Sequence, residues 1–150
     1  MAVNHLLGME AAIYFSTTVD PLAFPAVSTM TELDNATEVT LNLTTGEADV
    51  TTRANNGWRA TVATLKEASV DFTMIWKPGD VGFEAVRDAF LNNDEIHLAV
   101  LDNDAAVSGA QGLKGNFTIT NFTRNEALEE AITVSVTVKL SVFDEWHEVA

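Results

Sequence analysis

The sequence predicts a mainly β domain, an antiparallel β-sandwich with one flanking α-helix. Two observations lead to this prediction. Apolar and polar residues alternate with a period of two along several segments, and one other segment has helical spacing instead. Such alternation indicates strands with one buried face, which is typical of antiparallel sheets. A helix packed on those strands completes the layers of a small domain.

The alternating segments define the strands. Strands are predicted at 11–18, 38–45, 67–77, 96–101, 115–123 and 131–142. The clearest is the last, where isoleucine, valine and leucine alternate with threonine, serine and lysine. In segment 115–123 the apolar residues change phase near Asn121, which predicts a β-bulge at that point.

The single helix is predicted over residues 80–92. Its apolar residues recur at helical spacing, at Val81, Ala85, Val86, Ala89 and Phe90. Asp80 is a suitable N-cap because a short side-chain oxygen can accept from the first free backbone amides. Pro78 and Gly79 end the preceding strand, and the asparagines at 92 and 93 end the helix.

Two further segments have neither period. Residues 51–63 are polar and contain Trp58 together with two of the eight Lys and Arg residues. A loop of this length is uncommon inside a compact domain and is usually functional. Residues 20–30, with two prolines, are predicted as an extended loop. Because the sequence has no internal repeat and no linker-like composition, residues 1–150 are expected to form one domain.

The composition is strongly acidic and excludes several classes of function. The 150 residues include 22 Asp and Glu against 8 Lys and Arg, which gives a net charge of −14. This charge argues against nucleic-acid binding and against docking on anionic membranes. Without cysteine there is no disulfide, thiolate nucleophile or cysteine-based metal site. The N-terminus lacks the features of a secretory signal, so synthesis in the cytoplasm is expected.

The sequence contains no pattern typical of a catalytic or metal site, and no catalytic residue, metal or cofactor is expected. His97 lies within an alternating strand, where a structural role is favoured. His147 belongs to the acidic stretch 144–148, which is predicted to be a solvated tail. Residues 102–104, Asp-Asn-Asp, lack the glycine and glutamate of a calcium-binding loop and predict a plain surface turn.

Several segments together resemble bacteriophage major tail tube proteins of the TP901-1 type. The first is EVTLNLTTGEADVTTR at 38–53, and it is followed by NGWRATVATLKEASV at 56–70. Further matching segments lie at 82–85, 88–92, 98–102, 112–114 and 122–131. The resemblance covers roughly residues 32–139 in the expected order, and the N-terminal segment 1–31 matches less well.

The resemblance implies a structural virion protein rather than an enzyme. In this family, homohexameric rings of β-sandwich subunits stack into the tail tube that conducts the DNA genome to the host. The implied partners are further copies of the chain and other tail proteins, namely the tape measure protein, the tail terminator and the tail tip or baseplate. DNA would pass through without specific binding. A long loop that reaches the neighbouring ring corresponds to residues 49–65.

This loop contains the candidate contacts between rings. They are Arg53, Asn55, Asn56, Trp58 and Arg59. Trp58 between two arginines is typical of an interface anchor, because tryptophan and arginine dominate binding hot spots. The alternative is that Trp58 folds back onto the core of its own subunit. Asp71 is a candidate for the lumen of the tube, because it points away from the apolar face of its strand and would repel DNA.

Two other interpretations stay open at this point. A β-sandwich binding module, for carbohydrate or for host attachment, would present aromatic side chains on an exposed sheet face, whereas most aromatic residues here fall at inward positions. A ring of the same fold could also serve elsewhere, as a tail terminator or as the inner tube of an injection machine.

Overall fold

The computed structural model describes residues 11–149, which contain seven strands and one α-helix. In chain order these are β1 (Ala12–Ser16), β2 (Thr31–Glu32), β3 (Ala36–Asp49), β4 (Thr61–Ile75), α1 (Val81–Leu91), β5 (Glu95–Leu101), β6 (Gln111–Asn125) and β7 (Thr133–Glu148). All six predicted strands and the helix are confirmed, while the two-residue strand β2 had no signal in the sequence. Residues 1–10 of the N-terminal segment lie outside the described residues.

The strands form one antiparallel sheet in the order β2-β1-β5-β6-β7-β4-β3. The predicted class is confirmed, but a single curled sheet takes the place of two separate ones. Near one end of this strand order, the backbone amide of Leu33 donates to the carbonyl of Ile13 in β1. Near the other end, the backbone amide of Ile75 in β4 donates to the carbonyl of Asn35. Because two residues of chain span at most about 7 Å, the two ends of the sheet lie close together.

Bulges in the β6–β7 pair contribute to the curl of the sheet. The register of this pair shifts at three points, which leave Thr120, Ser141 and Asp144 as extra residues. The extra residue Thr120 confirms the bulge predicted near Asn121. Bulges bend a strand and increase its twist. Gly115 permits the close approach here, because a Cβ at this position would lie 2.7 Å from the carbonyl oxygen of Val142.

The main core lies between the concave face of the sheet and α1. From the helix, Phe83 and Val86 are fully buried against the strands. The helix begins where predicted, with the Asp80 carboxylate accepting from the amide of Phe83 at 3.1 Å. Gly82 lets the helix approach β1 and the residue after β2, because a Cβ there would lie 3.2 Å from Cε1 of Phe15 and 2.5 Å from Cδ1 of Leu33. The helix therefore closes one part of the concave face.

The segment 20–30, predicted as a loop, covers the opposite face of β1 and β5. Val27 is buried in a second small apolar cluster on that face. The ring of Phe24 lies 5.4 Å from that of His97. As a result β5 is buried on both faces almost throughout, which explains its continuous apolar character.

The C-terminal stretch is part of the sheet. The sequence predicts a solvated tail over 144–148, and this prediction is wrong, because β7 continues to Glu148. The bulge at Asp144 turns its carboxylate inward, where it accepts from the nearly buried ammonium of Lys114. The environment of Asp144 is therefore determined by the way in which β7 pairs with β6.

His97 lies beside this ion pair and is fully buried. Asn116 donates through Nδ2 to the carbonyl of Val19, so its Oδ1 accepts from Nδ1 of His97 at 2.7 Å. Nε2 of His97 lies 3.7 Å from the Asp144 carboxylate. Burial lowers the pKa of His97 below its ordinary value, although the bond to Asn116 opposes this shift. The structural role predicted for this histidine agrees with its position.

Candidate assembly surface

The segment predicted as a loop over 49–65 is for the most part the outer end of a β-hairpin. β3 and β4 stay paired as far as Asp49 and Thr61, so only residues 50–60 connect them. β4 pairs with β7 no further than Ser69 and Lys139. Beyond that point β3 and β4 leave the sheet as a two-stranded ribbon. We call residues 43–67 the arm and residues 50–60 its tip.

The arm exposes apolar side chains along its length. These are Leu43, Val50, Trp58, Val62 and Leu65. Ala48 and Val62 pair directly, on the face that continues the core side of the sheet. A two-stranded ribbon is marginally stable in water unless one face packs against another surface. The arm therefore has the composition of an element that is completed by contact with a partner.

An apolar groove separates the base of the arm from the end of β7. It has a volume of about 390 Å³ and is lined mainly by Leu43, Leu113, Leu140, Phe143 and Trp146. Trp146 pairs with Leu113 in β6, so the groove continues the core face of the sheet beyond α1. Sequence reasoning missed Phe143 and Trp146. Two aromatic residues inside an acidic stretch were the available signal.

The tip contains all five residues predicted to contact the next ring. Its turn is a short 3₁₀-helix, Arg53–Asn55, followed by Asn56 and Gly57 with positive φ angles of 52° and 82°. Nδ2 of Asn55 donates to the carbonyl of Trp58 at 2.9 Å and closes the turn. The side chain of Trp58 points outward and is 76% exposed, so it does not fold back onto its own core.

The tip is positively charged in an acidic protein. Arg53 and Arg59 are exposed and the tip has no carboxylate side chain, so its formal charge is +2 in a chain of net charge −14. At the base of the tip, Arg59 lies 3.8 Å from the carboxylate of Asp49. An exposed pair at this distance contributes little, so Arg59 is available to a stronger partner. Hydrogen bonds from Thr51 lower the pKa of Asp49.

Asp71 lies on the outer, convex face of the sheet, away from the core as predicted. Its carboxylate accepts from Thr137 at 2.7 Å and from Asn42 at 3.0 Å, so its position is fixed by both neighbouring strands. This face of β3, β4, β6 and β7 is rich in threonine and serine. Its charged residues include Glu38, Glu67, Asp71 and Lys139, and Glu95 at the start of β5 adjoins it. The face is therefore polar with an excess of negative charge.

Comparison with known families identifies the protein class. The sequence model of the family described as phage tail tube protein matches residues 9–142. The chain belongs to the phage tail tube protein family. Membership makes it a structural protein of the virion tail, as the resemblance in the sequence implied. Comparison with curated proteins finds no match.

Solved structures show that this tail tube protein has a fold found in other tails. One is the tail of an empty gene transfer agent particle, computed by helical refinement with C6 symmetry. It has a TM-score of 0.71 and 16% identity over 99% of this chain and 100% of that chain. The tail tube of SPP1, from solid-state NMR and cryo-EM, has a TM-score of 0.70 and 19% identity over 97% of this chain and 80% of that chain.

The described residues of this tail tube protein contain neither a candidate metal cluster nor a membrane-spanning helix. Across 11–149, no group of three or more metal-ligating side chains lies close together. The helix of this region has 11 residues and is too short to cross a bilayer. The arm, the groove and the polar convex face are instead surfaces suited to assembly.

Proposed function

We propose that six copies of this chain close into a ring and that the rings stack into a tube that conducts the phage genome. The observation that carries the proposal is the arm, a ribbon with exposed apolar side chains and a basic tip, on a subunit of the tail tube family. The similarity to a tail refined with C6 symmetry supports six as the number of copies per ring. An assembly that packs the arm against a neighbour would remove its apolar face from water.

In this assembly the segment 49–65 crosses to the next ring. Its contacts are made by Arg53, Asn55, Asn56, Trp58 and Arg59, which share one exposed tip. The other expected partners are the tape measure protein inside the tube, and the tail terminator and the tail tip or baseplate at its two ends. The resemblance to tail tube proteins implies these partners, and a stack has places for them at its two ends, because its first and last rings each keep one surface that no identical ring covers.

The convex face with Asp71 lines the bore of the tube in this proposal. DNA carries about one negative charge per 1.7 Å, so a basic wall would hold it through many phosphate contacts. Carboxylates on the wall repel it over about 8 Å, the Debye length at physiological salt. The hydroxyl groups of this face keep the wall hydrated and add no positive charge that would hold phosphates. DNA would therefore slide along the bore without specific binding, and the protein would need no catalytic activity.

The proposal is tested by electron microscopy and light scattering of the full chain over a range of concentrations. We expect rings and tubes that grow with concentration. A matched variant would join Asp49 to Thr61 through a two-residue Asn-Gly turn, which is compatible with a tight hairpin and removes the tip. This variant should still form rings but not tubes. A parent protein that stays monomeric at high concentration, even with a tail initiator complex present, would contradict the proposal.

The exposed aromatic side chains do not favour a carbohydrate-binding module. Trp58, Phe143 and Trp146 lie in the tip and the groove, whereas the exposed convex face of the sheet is rich in threonine and serine. A sugar-binding face would place aromatic rings side by side on one flat surface. The observed distribution instead follows the surfaces that the assembly would cover.

A further inference from the structure

The β6–β7 turn, residues 126–132, lies at the end of the subunit opposite to the arm tip. Ile75 at the end of β4 pairs with Thr133 at the start of β7, so the turn adjoins the end of β4 that leads into α1. The tip precedes Thr61 at the other end of β4. A strand of 15 residues is about 50 Å long. The two loops are thus on opposite ends of an elongated sheet.

The turn is acidic and also carries an exposed apolar side chain. Its three glutamates, with no basic residue, give it a formal charge of −3. Arg124 lies 3.6 Å from Glu126, which leaves the exposed Glu129 and Glu130 as its available carboxylates. Leu128 lies between Glu126 and these two glutamates in the chain, and its side chain is 100% exposed.

A stack of identical subunits repeats one contact head to tail. Such a heterologous contact joins one end of a subunit to the opposite end of the next copy. Two copies of a chain with net charge −14 repel each other, so the contact requires local attraction. The tip, with charge +2, and the turn, with charge −3, provide it. Each also presents a large, strongly exposed apolar side chain, Trp58 in the tip and Leu128 in the turn.

We propose that the arm tip of one subunit binds the β6–β7 turn of a second copy in the adjacent ring. Arg53 and Arg59 pair with Glu129 and Glu130, and Trp58 packs on Leu128. Arg59 exchanges its long contact with Asp49 for this one. The inference rests on the proposed stacking of rings and names the surface that receives the arm.

Charge reversal tests the pairing. The variant Arg53→Glu/Arg59→Glu should form rings but lose tubes by at least about tenfold, because like charges at an interface are strongly unfavourable. Adding Glu129→Arg/Glu130→Arg to the same chain should restore most of the tube yield at low salt. The matched control adds Asp88→Arg/Asp94→Arg instead, which changes the net charge equally at exposed positions in and just after α1, outside the arm and the turn, and should restore nothing. The inference is overturned if the control restores tube yield equally well. It is also overturned if the variant with the reversed turn forms folded rings but no tubes.

A cross-link provides a second readout that does not depend on tube yield. The chain has no cysteine, so Ala54→Cys/Ala127→Cys introduces the only pair of thiols, one in the exposed tip and one in the exposed turn, and keeps Trp58 and Leu128. On mild oxidation, assembled protein should give a ladder of linked chains, whereas Ala54→Cys/Leu22→Cys, with an exposed leucine outside the turn, should not. Tubes of the Ala54→Cys/Ala127→Cys variant that give no ladder overturn the inference and leave the proposed function intact. A parent without rings or tubes overturns both.

Discussion

The ion pair of Lys114 and Asp144 joins β6 to β7 at a bulge, close to the base of the arm. Both side chains are largely removed from water, with exposed fractions of 5% and 14%. Taking charges out of water costs several kcal/mol per ion, and the pair compensates that cost only while both partners are present. The pair therefore specifies the bulge more than it stabilises the fold, since any other register would leave a buried charge alone.

Removing one partner should be strongly destabilising. We expect Asp144→Ala to lower the free energy of unfolding by about 3–5 kcal/mol, because it leaves the Lys114 ammonium buried and unpaired. Urea unfolding of dilute subunit measures the change. The double variant Lys114→Met/Asp144→Leu is the control and should recover most of the loss by replacing the pair with apolar groups. A loss below about 1 kcal/mol for Asp144→Ala would mean that water reaches the site.

The burial of His97 makes stability depend on pH. Its pKa is lowered in the folded state, and the groups that face it are Lys114, Asp144 and the amide of Asn116. In the unfolded chain the histidine protonates near its ordinary pKa of about 6.5. Below that pH the unfolded state binds more protons than the folded state, so stability falls as the pH decreases.

We therefore expect the urea midpoint of the parent protein to fall as the pH is lowered from about 7.5 to 5.5. The variant His97→Gln removes the titrating group while keeping a side chain that can bond to Asn116. Its midpoint should fall less over the same range, whatever its absolute stability. Parallel profiles for parent and variant would show that His97 does not carry this dependence.

Among the elements, the arm differs most from the rest of the sheet. Its strands are paired only with each other beyond Ser69, and its tip is held by local bonds such as that of Asn55 to Trp58. Few contacts connect the tip to the core. A change in its side chains should therefore affect assembly without affecting the fold of the subunit.

Replacing Trp58 with Ala separates these two effects. We expect the free energy of unfolding of the dilute subunit to change by less than about 0.5 kcal/mol, because an exposed side chain contributes little to the fold. Stacking should weaken by about 2 kcal/mol or more per contact, and the contacts of a ring act together. Leu22→Ala, which truncates an exposed residue outside the arm, is the control and should leave tube yield unchanged. A lower melting temperature with normal tube yield would contradict the role of Trp58 in assembly.

At the scale of the whole molecule, charge is distributed unevenly. The net charge of −14 includes a tip of +2, so the remainder of the chain carries −16. On the convex face, carboxylates such as Asp71 are fixed by hydrogen bonds from threonine and asparagine. This distribution suits a protein that repels DNA along one face and attracts its own copies at one end.

A repelling bore predicts no measurable affinity for duplex DNA, even at low salt, where phosphate contacts are strongest. Fluorescence anisotropy with labelled duplex and assembled tubes measures this. The variant Asp71→Lys would place a repeated cation in the bore, and we expect it to retain DNA in a salt-dependent manner. Salt-dependent micromolar binding by the parent protein would contradict an inert conduit.

The periodicity of the sequence was sufficient for six of the seven strands and for the helix, because the side-chain repeats of 2 and 3.6 residues are local properties of the backbone. Asp80 predicted the start of α1, and the phase change near Asn121 predicted a bulge. The tip residues Arg53, Trp58 and Arg59 could also be selected from the sequence. A large aromatic residue between two cations in a polar segment has few structural explanations.

The tertiary structure alone decided which surfaces are covered. Residues 61–65 lack apolar alternation and were expected in a loop, yet they pair with β3, because backbone hydrogen bonds do not require a buried face. Asp144 was expected in a solvated tail, yet a bulge turns it toward Lys114. Both outcomes depend on pairing between two strands, β3 with β4 and β6 with β7, and not on the repeat within one strand. Sequence periodicity reports the local repeat of the backbone, whereas burial depends on which strand lies opposite, in which register, and on where the curled sheet leaves room.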